Sequence, residues 1–418
     1  MTYENLKPRD IFWNTLGMCS YAIVSLFLSV IIVSIAGGVE GGIFSFGFST
    51  LARLVFIVTF FGIRPLHIVD IKYRYTFLDY RNFGIRLGVV SLILGFTYVI
   101  LRYCTGIYDL KKSFILMLLI VHGAIDGFSD YYECEYQRVN RLYMSGISQF
   151  LRIVIFAFTL AIILLLTKEL LLALVIALLL ELLTFYILNI KYSNAYFDRN
   201  TINNNGKKLF YEALPLFLIT FLDTFVFSMS KIYIDVELGD TYSGFYGIVF
   251  MPTNAVYLLM TLFMKPMLTP LANSYYRDKK EYNLILRKSL YVAFAIATIS
   301  IVGAFIFGKF YLDIIAYFTN NSYSEFESLS RQILVILMIG GSFYTVTTPY
   351  YFSLIIENKR VHILVVYIIV SILSIFIVRY FIKTYGIMGA SYGFVASMSL
   401  IFLGIVIAKF VGLVIKDE

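Results

Sequence analysis

His122, Asp126 and Asp130 are spaced four residues apart inside an apolar run. That spacing puts an imidazole and two carboxylates on one face of a helix. Facing a polar cavity, such a stripe could carry a coupling proton or cation. It reads equally well as the polar side of a helix whose end nears Arg138 and Arg141. Two arginines, Arg53 and Arg152, each lie about ten residues, or some 15 Å, into other apolar runs. The planar fork of Arg suits phosphate, whereas Lys acts as a point charge. Arg152 could instead pair with an acid such as Asp126. Asp223 sits in the middle of a further apolar run, with Lys231 two turns on as a distant partner. Lys265, followed by Pro266, either snorkels to an interface or meets a phosphate there. Asn14 and Asn254 offer hydrogen bonds to ligand hydroxyls or to a neighbouring helix.

The elements that hold these groups are set by composition. Of 418 residues 60% are hydrophobic and 14% charged, against about 25% charged in soluble domains. The pattern excludes a soluble globular protein and predicts an all-α polytopic membrane protein. Twelve apolar runs are long enough to cross a hydrocarbon layer of about 30 Å. The first six run over 11–36, 43–63, 84–103, 113–133, 143–167 and 169–190. The second six run over 210–234, 242–268, 289–308, 328–352, 361–382 and 386–411. Between them lies the polar, Asn-rich stretch KYSNAYFDRNTINNNGKK. The expected organisation is a six-helix bundle over 1–190, a cytoplasmic linker over 191–209 and a second six-helix bundle over 210–418.

Charge supplies the orientation. The net charge of +8 fits the positive-inside bias and anionic lipid contact better than nucleic-acid binding. With the N-terminus inside, twenty-two Lys and Arg fall in inner segments, among them Arg64, Arg74, Arg138, Arg141, Lys207, Arg277 and Lys359, and eight fall outside. Both termini are therefore expected in the cytoplasm. Cys19, Cys104 and Cys134 are dispersed and odd in number, which implies neither a disulfide framework nor a thiolate cluster. The run after MTYENLKPRD lacks a small-residue cleavage pattern and reads as a retained first span.

The halves also echo one another. Gly41-Gly42-Ile43-Phe44-Ser45-Phe46-Gly47 opens the second span and Ser243-Gly244-Phe245-Tyr246-Gly247 the eighth. With an even span count per half, the repeats would be parallel about the membrane normal. The hairpin of the seventh and eighth spans holds Asp223, Lys231, Asn254, Lys265 and three prolines, Pro252, Pro266 and Pro270. Polar groups at such depth suggest a polar cavity, and the prolines suggest kinks. Tyr246 and Tyr257 are candidates to stack on sugars.

Four stretches carry a family resemblance. They are FGIRPLHIVDIKYRYTFLDYRNFGIRLG, DGFSDYYECEYQRVNRLYMSGIS, PLFLITFLDTFVFSMSKIYID with the glycine turn after it, and GIMGASYGFVASMSL. They resemble Wzx-type flippases, in the polysaccharide transporter branch of the multidrug/oligosaccharidyl-lipid/polysaccharide (MOP) exporter superfamily. The resemblance implies a MATE-like, V-shaped molecule of two six-helix bundles around a central cavity. It also implies transfer of an undecaprenyl-diphosphate-linked oligosaccharide from the inner to the outer leaflet of a bacterial plasma membrane, beside glycosyltransferases and a polymerase. A lipid diphosphate needs cations along its route, so Arg53 and Arg152 become the leading diphosphate ligands, with Lys265, Asn14 and Asn254 as further contacts. His122, Asp126 and Asp223 are the candidates for ion coupling.

Two other classes fit the sequence less well. A cation-coupled drug antiporter of the same superfamily would be expected to carry acids in its first span, where this chain offers Asn14 and no carboxylate after Asp10. A membrane polysaccharide polymerase would need a catalytic acid or His cluster on a sizeable loop, and the longest outer loop, 309–327, has no His. No nucleotide-binding glycine loop, metal-ligand set or nucleophile–base pair stands out. Neither catalysis, a metal, a cofactor nor nucleic acid is expected.

Overall fold

A computed structural model describes residues 7–70, 74–197 and 205–411. Among these residues the regular structure is helical throughout, as a medium without water demands, since a helix satisfies its own backbone. Among the described residues nine helices are long and apolar enough to cross a membrane, and the bent pair Asp240–Val249 and Met251–Leu268 counts as a tenth when taken as one span. Two of the nine are double. Pro8–Phe60 is broken at Gly37 (φ 85°) and Arg360–Phe410 at Gly386 (φ 57°). Only glycine adopts such a backbone without strain. Twelve crossings result, so this is a multi-pass membrane protein of about twelve helices. The expected linker lies partly outside the described residues.

The chain forms two compact units, 1–221 and 222–418. In the first, α1 (Pro8–Phe46) continues through a π-turn at Gly47–Leu51 into α2 (Ala52–Phe60). A short α3 (Arg64–Val69) follows, then α4 (Phe77–Cys104), α5 (Leu110–Arg138), α6 (Leu142–Thr167) and α7 (Leu170–Phe185). α4 starts seven residues before the expected 84 because Thr76 caps it: its hydroxyl accepts from the Asp79 amide, and the Asp79 carboxylate accepts from the Thr76 amide. α5 is the most buried apolar segment of the unit and packs on α2, α3, α4, α6 and α7.

Small residues bring these helices together. A Cβ at Gly123 of α5 would lie 2.3 Å from the Ala52 carbonyl oxygen, and one at Gly146 of α6 2.3 Å from that of Trp13. The α1–α6 crossing is therefore backbone on backbone.

α8 (Gly206–Glu237) begins in the first unit and ends in the second. After it come α9 (Asp240–Val249), α10 (Met251–Arg277), α11 (Lys279–Phe318), α12 (Glu327–Ile356) and α13 (Arg360–Val411). α12 holds the central place here, packed on α10, α11 and α13. The 42° bend of the eighth span falls between α9 and α10, directly before Pro252, whose ring cannot continue the preceding ladder. Pro266 and Pro270 lie within continuous α10. Outward faces are apolar: Ile85, Val89 and Ile93 on α4 and Phe294, Phe305 and Phe307 on α11 are exposed, the inverse of a soluble surface.

Candidate functional site

The stripe on α5 is real and fully enclosed. His122, Asp126 and Asp130 are each buried, and each meets a partner from a different element. His122 Nδ1 lies 2.8 Å from Glu181 Oε2 of α7. Its ring stacks against Phe48 and Phe156, at centroid distances of 5.5 and 4.2 Å. Asp126 Oδ1 lies 2.8 Å from Arg152 Nη2 of α6, and the same nitrogen donates to Glu133 Oε1 at 3.1 Å. Asp130 pairs with Arg64 of α3 at 3.0 Å and accepts from the Cys134 thiol.

Burial of a charge is tolerable only when it is paired and hydrogen-bonded. Here one guanidinium serves two carboxylates. Arg152 Nε and Nη1 have no hydrogen-bond partner, nor has Glu181 Oε1. Arg152 is thus an ion-pair centre in this conformation, and a ligand anion would have to displace Asp126 or Glu133 to bind it.

Arg53 differs. It is exposed on α2, two turns from the end at Phe60, and no carboxylate lies within ion-pair distance among the described residues. Its guanidinium sits 5.0 Å from the Phe56 ring. Arg53 follows Ala52, whose carbonyl packs on Gly123 of α5, one turn from Asp126. Asn14 lies at the α1–α6 crossing, where its amide donates to Met18 Sδ at 3.7 Å.

Where α5 ends, a second polar knot fastens α3. His67 Nε2 lies 2.7 Å from Glu135 Oε2, and Arg138 donates to the other oxygen of Glu135 at 2.9 Å and to the Tyr75 carbonyl at 3.0 Å. The His67 ring stacks on Tyr80 at 3.7 Å. Burial pushes the His67 imidazole below its usual range, outweighing the attraction of Glu135.

In the second unit Asp223 is half-buried on α8. Its Oδ2 accepts from the Tyr344 hydroxyl of α12 and its Oδ1 from the Tyr367 hydroxyl of α13, both at 2.8 Å. Lys231 is not its partner: that ammonium is buried over the Phe250 ring at 4.3 Å. Asn254 is half-buried in the first turn of α10. The Lys265 side chain lies outside the described residues. Tyr257 is half-buried and Tyr246 wholly so.

Sequence reasoning brought together Arg152, Asp126 and the α5 stripe, but passed over Glu133, Glu181, Arg64, Tyr344 and Tyr367. Glu181 carried a usable signal as the one acid in the apolar run 170–190. The tyrosines carried none, standing among thirty-four. Among the described residues no group of His, Cys, Asp and Glu could hold a metal ion.

No family model and no curated protein matches the chain. Solved structures do. The inward-facing conformation of a multidrug resistance MATE family transporter of the MOP superfamily superposes with a TM-score of 0.70 at 12% identity, covering 97% of this chain and 96% of that one. Lipid II flippase MurJ, in an inward closed conformation, gives 0.68 at 16%, covering 95% and 87%. A MOP superfamily transporter from Pyrococcus furiosus gives 0.58 at 16%, covering 98% and 96%. At these identities the likeness is one of architecture: the chain has the fold of MOP superfamily transporters.

Proposed function

We propose that this protein is a flippase for an undecaprenyl-diphosphate-linked oligosaccharide repeat unit in surface polysaccharide assembly. It carries its substrate from the inner to the outer leaflet of a bacterial plasma membrane by alternating access. In this reading both termini are cytoplasmic, 1–190 and 210–418 form the two bundles, and 191–209 joins them. The observation that carries it is Arg53, an exposed guanidinium inside an apolar span without a neutralising carboxylate among the described residues. A lone charge at such depth marks a functional site by default, and its geometry suits a diphosphate. Arg152 is committed to Asp126 and Glu133, which leaves Arg53 to meet the diphosphate. A fold shared with a protein solved as a lipid II flippase supports the same reading.

The test is reconstitution in liposomes with a polyprenyl-diphosphate-linked oligosaccharide, scored by exposure of the sugar on the opposite leaflet. Arg53→Ala is expected to lower the initial rate by about tenfold or more, and Arg53→Lys to restore part of it. Full activity in Arg53→Ala would remove the diphosphate path.

Cation-coupled antiport of a small molecule is the second reading. It is favoured by the buried His122–Glu181 pair and Asp126, which could hold a coupling proton, and by the MATE fold. Substrate-dependent proton movement without flipping of the lipid would decide for it. The polymerase reading draws no support from the geometry.

A further inference from the structure

Neither reading above uses the ring of tyrosines around Asp223. Resting on the flippase reading above, we propose that this cluster is a subsite for the glycan, receiving a neutral sugar residue beyond the one attached to the diphosphate. Four helices of the second unit build it. Asp223 comes from α8, Tyr257 from α10, Tyr344 from α12 and Tyr367 from α13, with the two carboxylate oxygens each accepting one tyrosine hydroxyl at 2.8 Å. Phe227, one turn along α8 from Asp223, meets Tyr344 at 5.6 Å and Tyr257 at 6.0 Å, and Tyr257 meets Tyr344 at 5.1 Å. Tyr351, two turns further along α12, feels the same carboxylate.

Exposure separates this cluster from ordinary core. Phe227, Asp223, Tyr257, Tyr344 and Tyr351 are all half-buried, whereas Phe250 and Phe394, packed on the other side of Phe227, are wholly buried. The partly open side therefore offers ring surface and hydroxyls together. A sugar presents the complementary pair: apolar C–H faces that lie on an aromatic ring, and hydroxyls that donate to a carboxylate or exchange hydrogen bonds with phenols. A few convergent polar groups on an aromatic wall are the usual composition of a small-molecule site.

The geometry points to a sugar more than to an organic cation. A cation binder surrounds its ligand with ring faces, but the rings of Tyr344 with Tyr257 and with Phe227 meet edge to face, at 66° and 67°. Each oxygen of Asp223 is already engaged by a phenol, which fixes the carboxylate as a directional acceptor. Such an acceptor suits a ligand rich in hydroxyl donors.

The experiment uses the full-length protein in liposomes and two probes: a polyprenyl diphosphate bearing one N-acetylhexosamine and the same lipid bearing a longer neutral glycan. Wild type, Tyr257→Leu, Tyr257→Phe and Asp223→Asn are compared after size-exclusion chromatography has shown each to be folded. Tyr257→Leu and Asp223→Asn are expected to slow the long-glycan lipid by about tenfold, the loss of roughly one good contact. Both should leave the single-sugar lipid within about twofold of wild type, and Tyr257→Phe, which keeps the ring, should retain most of the long-glycan rate. Equal slowing of both probes, or of neither, overturns the glycan subsite and leaves the flippase reading standing. Failure of the wild type to move either lipid overturns both. Transport of tetraphenylphosphonium that Asp223→Asn abolishes overturns the sugar assignment in favour of a cation site.

Discussion

The two units centre on helices of opposite chemistry. α5 buries His122, Asp126, Asp130, Glu133, Glu135 and Arg138, and its neighbours supply Arg152, Glu181, Arg64 and His67 to meet them. α12 carries no charged residue from Gln332 to Ile356. Its Thr345, Thr347 and Thr348 donate to backbone carbonyls one turn back in their own helix. A hydroxyl satisfied within its own helix leaves the neighbours free, whereas a carboxylate in hydrocarbon binds its neighbours into one arrangement. The first unit should therefore hold its helices by specific ion pairs. The second should hold them mainly by packing, with two exceptions: Asp223 with its tyrosines, and Glu357 at the end of α12, which pairs with Lys409 of α13 and accepts from the Tyr282 hydroxyl of α11.

The strongest way to break that contrast is to remove the shared cation. Arg152→Met leaves Asp126 and Glu133 facing each other without their guanidinium. The expected cost is about 3–5 kcal/mol, the range for stranding one side of a buried ion pair. Thermal unfolding in detergent would register it as a large fall in melting temperature. Adding Asp126→Asn and Glu133→Gln to the same chain should recover most of the loss. An unchanged melting temperature in Arg152→Met would mean that the triad does not organise the unit.

Packing provides the next effect. Gly146→Leu puts a side chain where the Trp13 carbonyl oxygen already stands 2.3 Å from an ideal Cβ, so α1 and α6 must separate. Overpacking of this kind costs about 1–3 kcal/mol. Gly341→Ala on α12 meets the Thr253 Cγ2 methyl at 2.8 Å. A methyl at the end of a side chain yields more readily than backbone, so the melting temperature should fall less there.

Tyr344→Phe sharpens the first of these exceptions in the second unit. It removes the donor to Asp223 Oδ2 and leaves the donor from Tyr367 in place. A single hydrogen bond to a charged group contributes about 1.5–3 kcal/mol when buried, and less for a half-buried carboxylate with a second donor. The expected loss in stability is about 1 kcal/mol. A loss near that for Arg152→Met would erase the difference between the units.

How much of this was legible beforehand follows the same division. Spans are readable because each is a long apolar run, and all twelve expected starts fall within or beside the observed helices. The breaks at Gly37 and Gly239 explain the echo between the halves: each glycine, at φ 85° and 96°, turns the chain into the second and eighth span. The sequence echo lay a few residues later, on the helices those turns start. The α5 stripe was readable because period four is a property of one helix. Asp126 was readable as a partner of Arg152, but the second acid was not, because Glu133, seven residues from Asp126 on α5, meets it only through the α5–α6 crossing. The Asp223–Tyr344–Tyr367 contacts span 121 and 144 residues, and no local pattern carries such a separation.

The smallest effect at neutral pH concerns His67, which fastens α3 to the end of α5 outside the spans. Burial holds its folded imidazole below the usual value while the unfolded chain titrates near 6.5. As pH falls below about 6.5 the unfolded state takes up the proton first, so stability declines toward the lowered folded value, by no more than about 1.4 kcal/mol per pH unit. Above that window the His67 contribution is complete and flat. Melting curves of the wild type from pH 8 to 5.5 should therefore bend downward in the acid half. In His67→Gln, which can still donate to Glu135 but does not titrate, the bend should shrink. Glu135 itself cannot supply the bend. Despite desolvation, its bonds to His67 and Arg138 hold it below the ordinary carboxylate range, and its own loss of stability falls at still lower pH. A bend of equal size in His67→Gln would assign the acid sensitivity to another group.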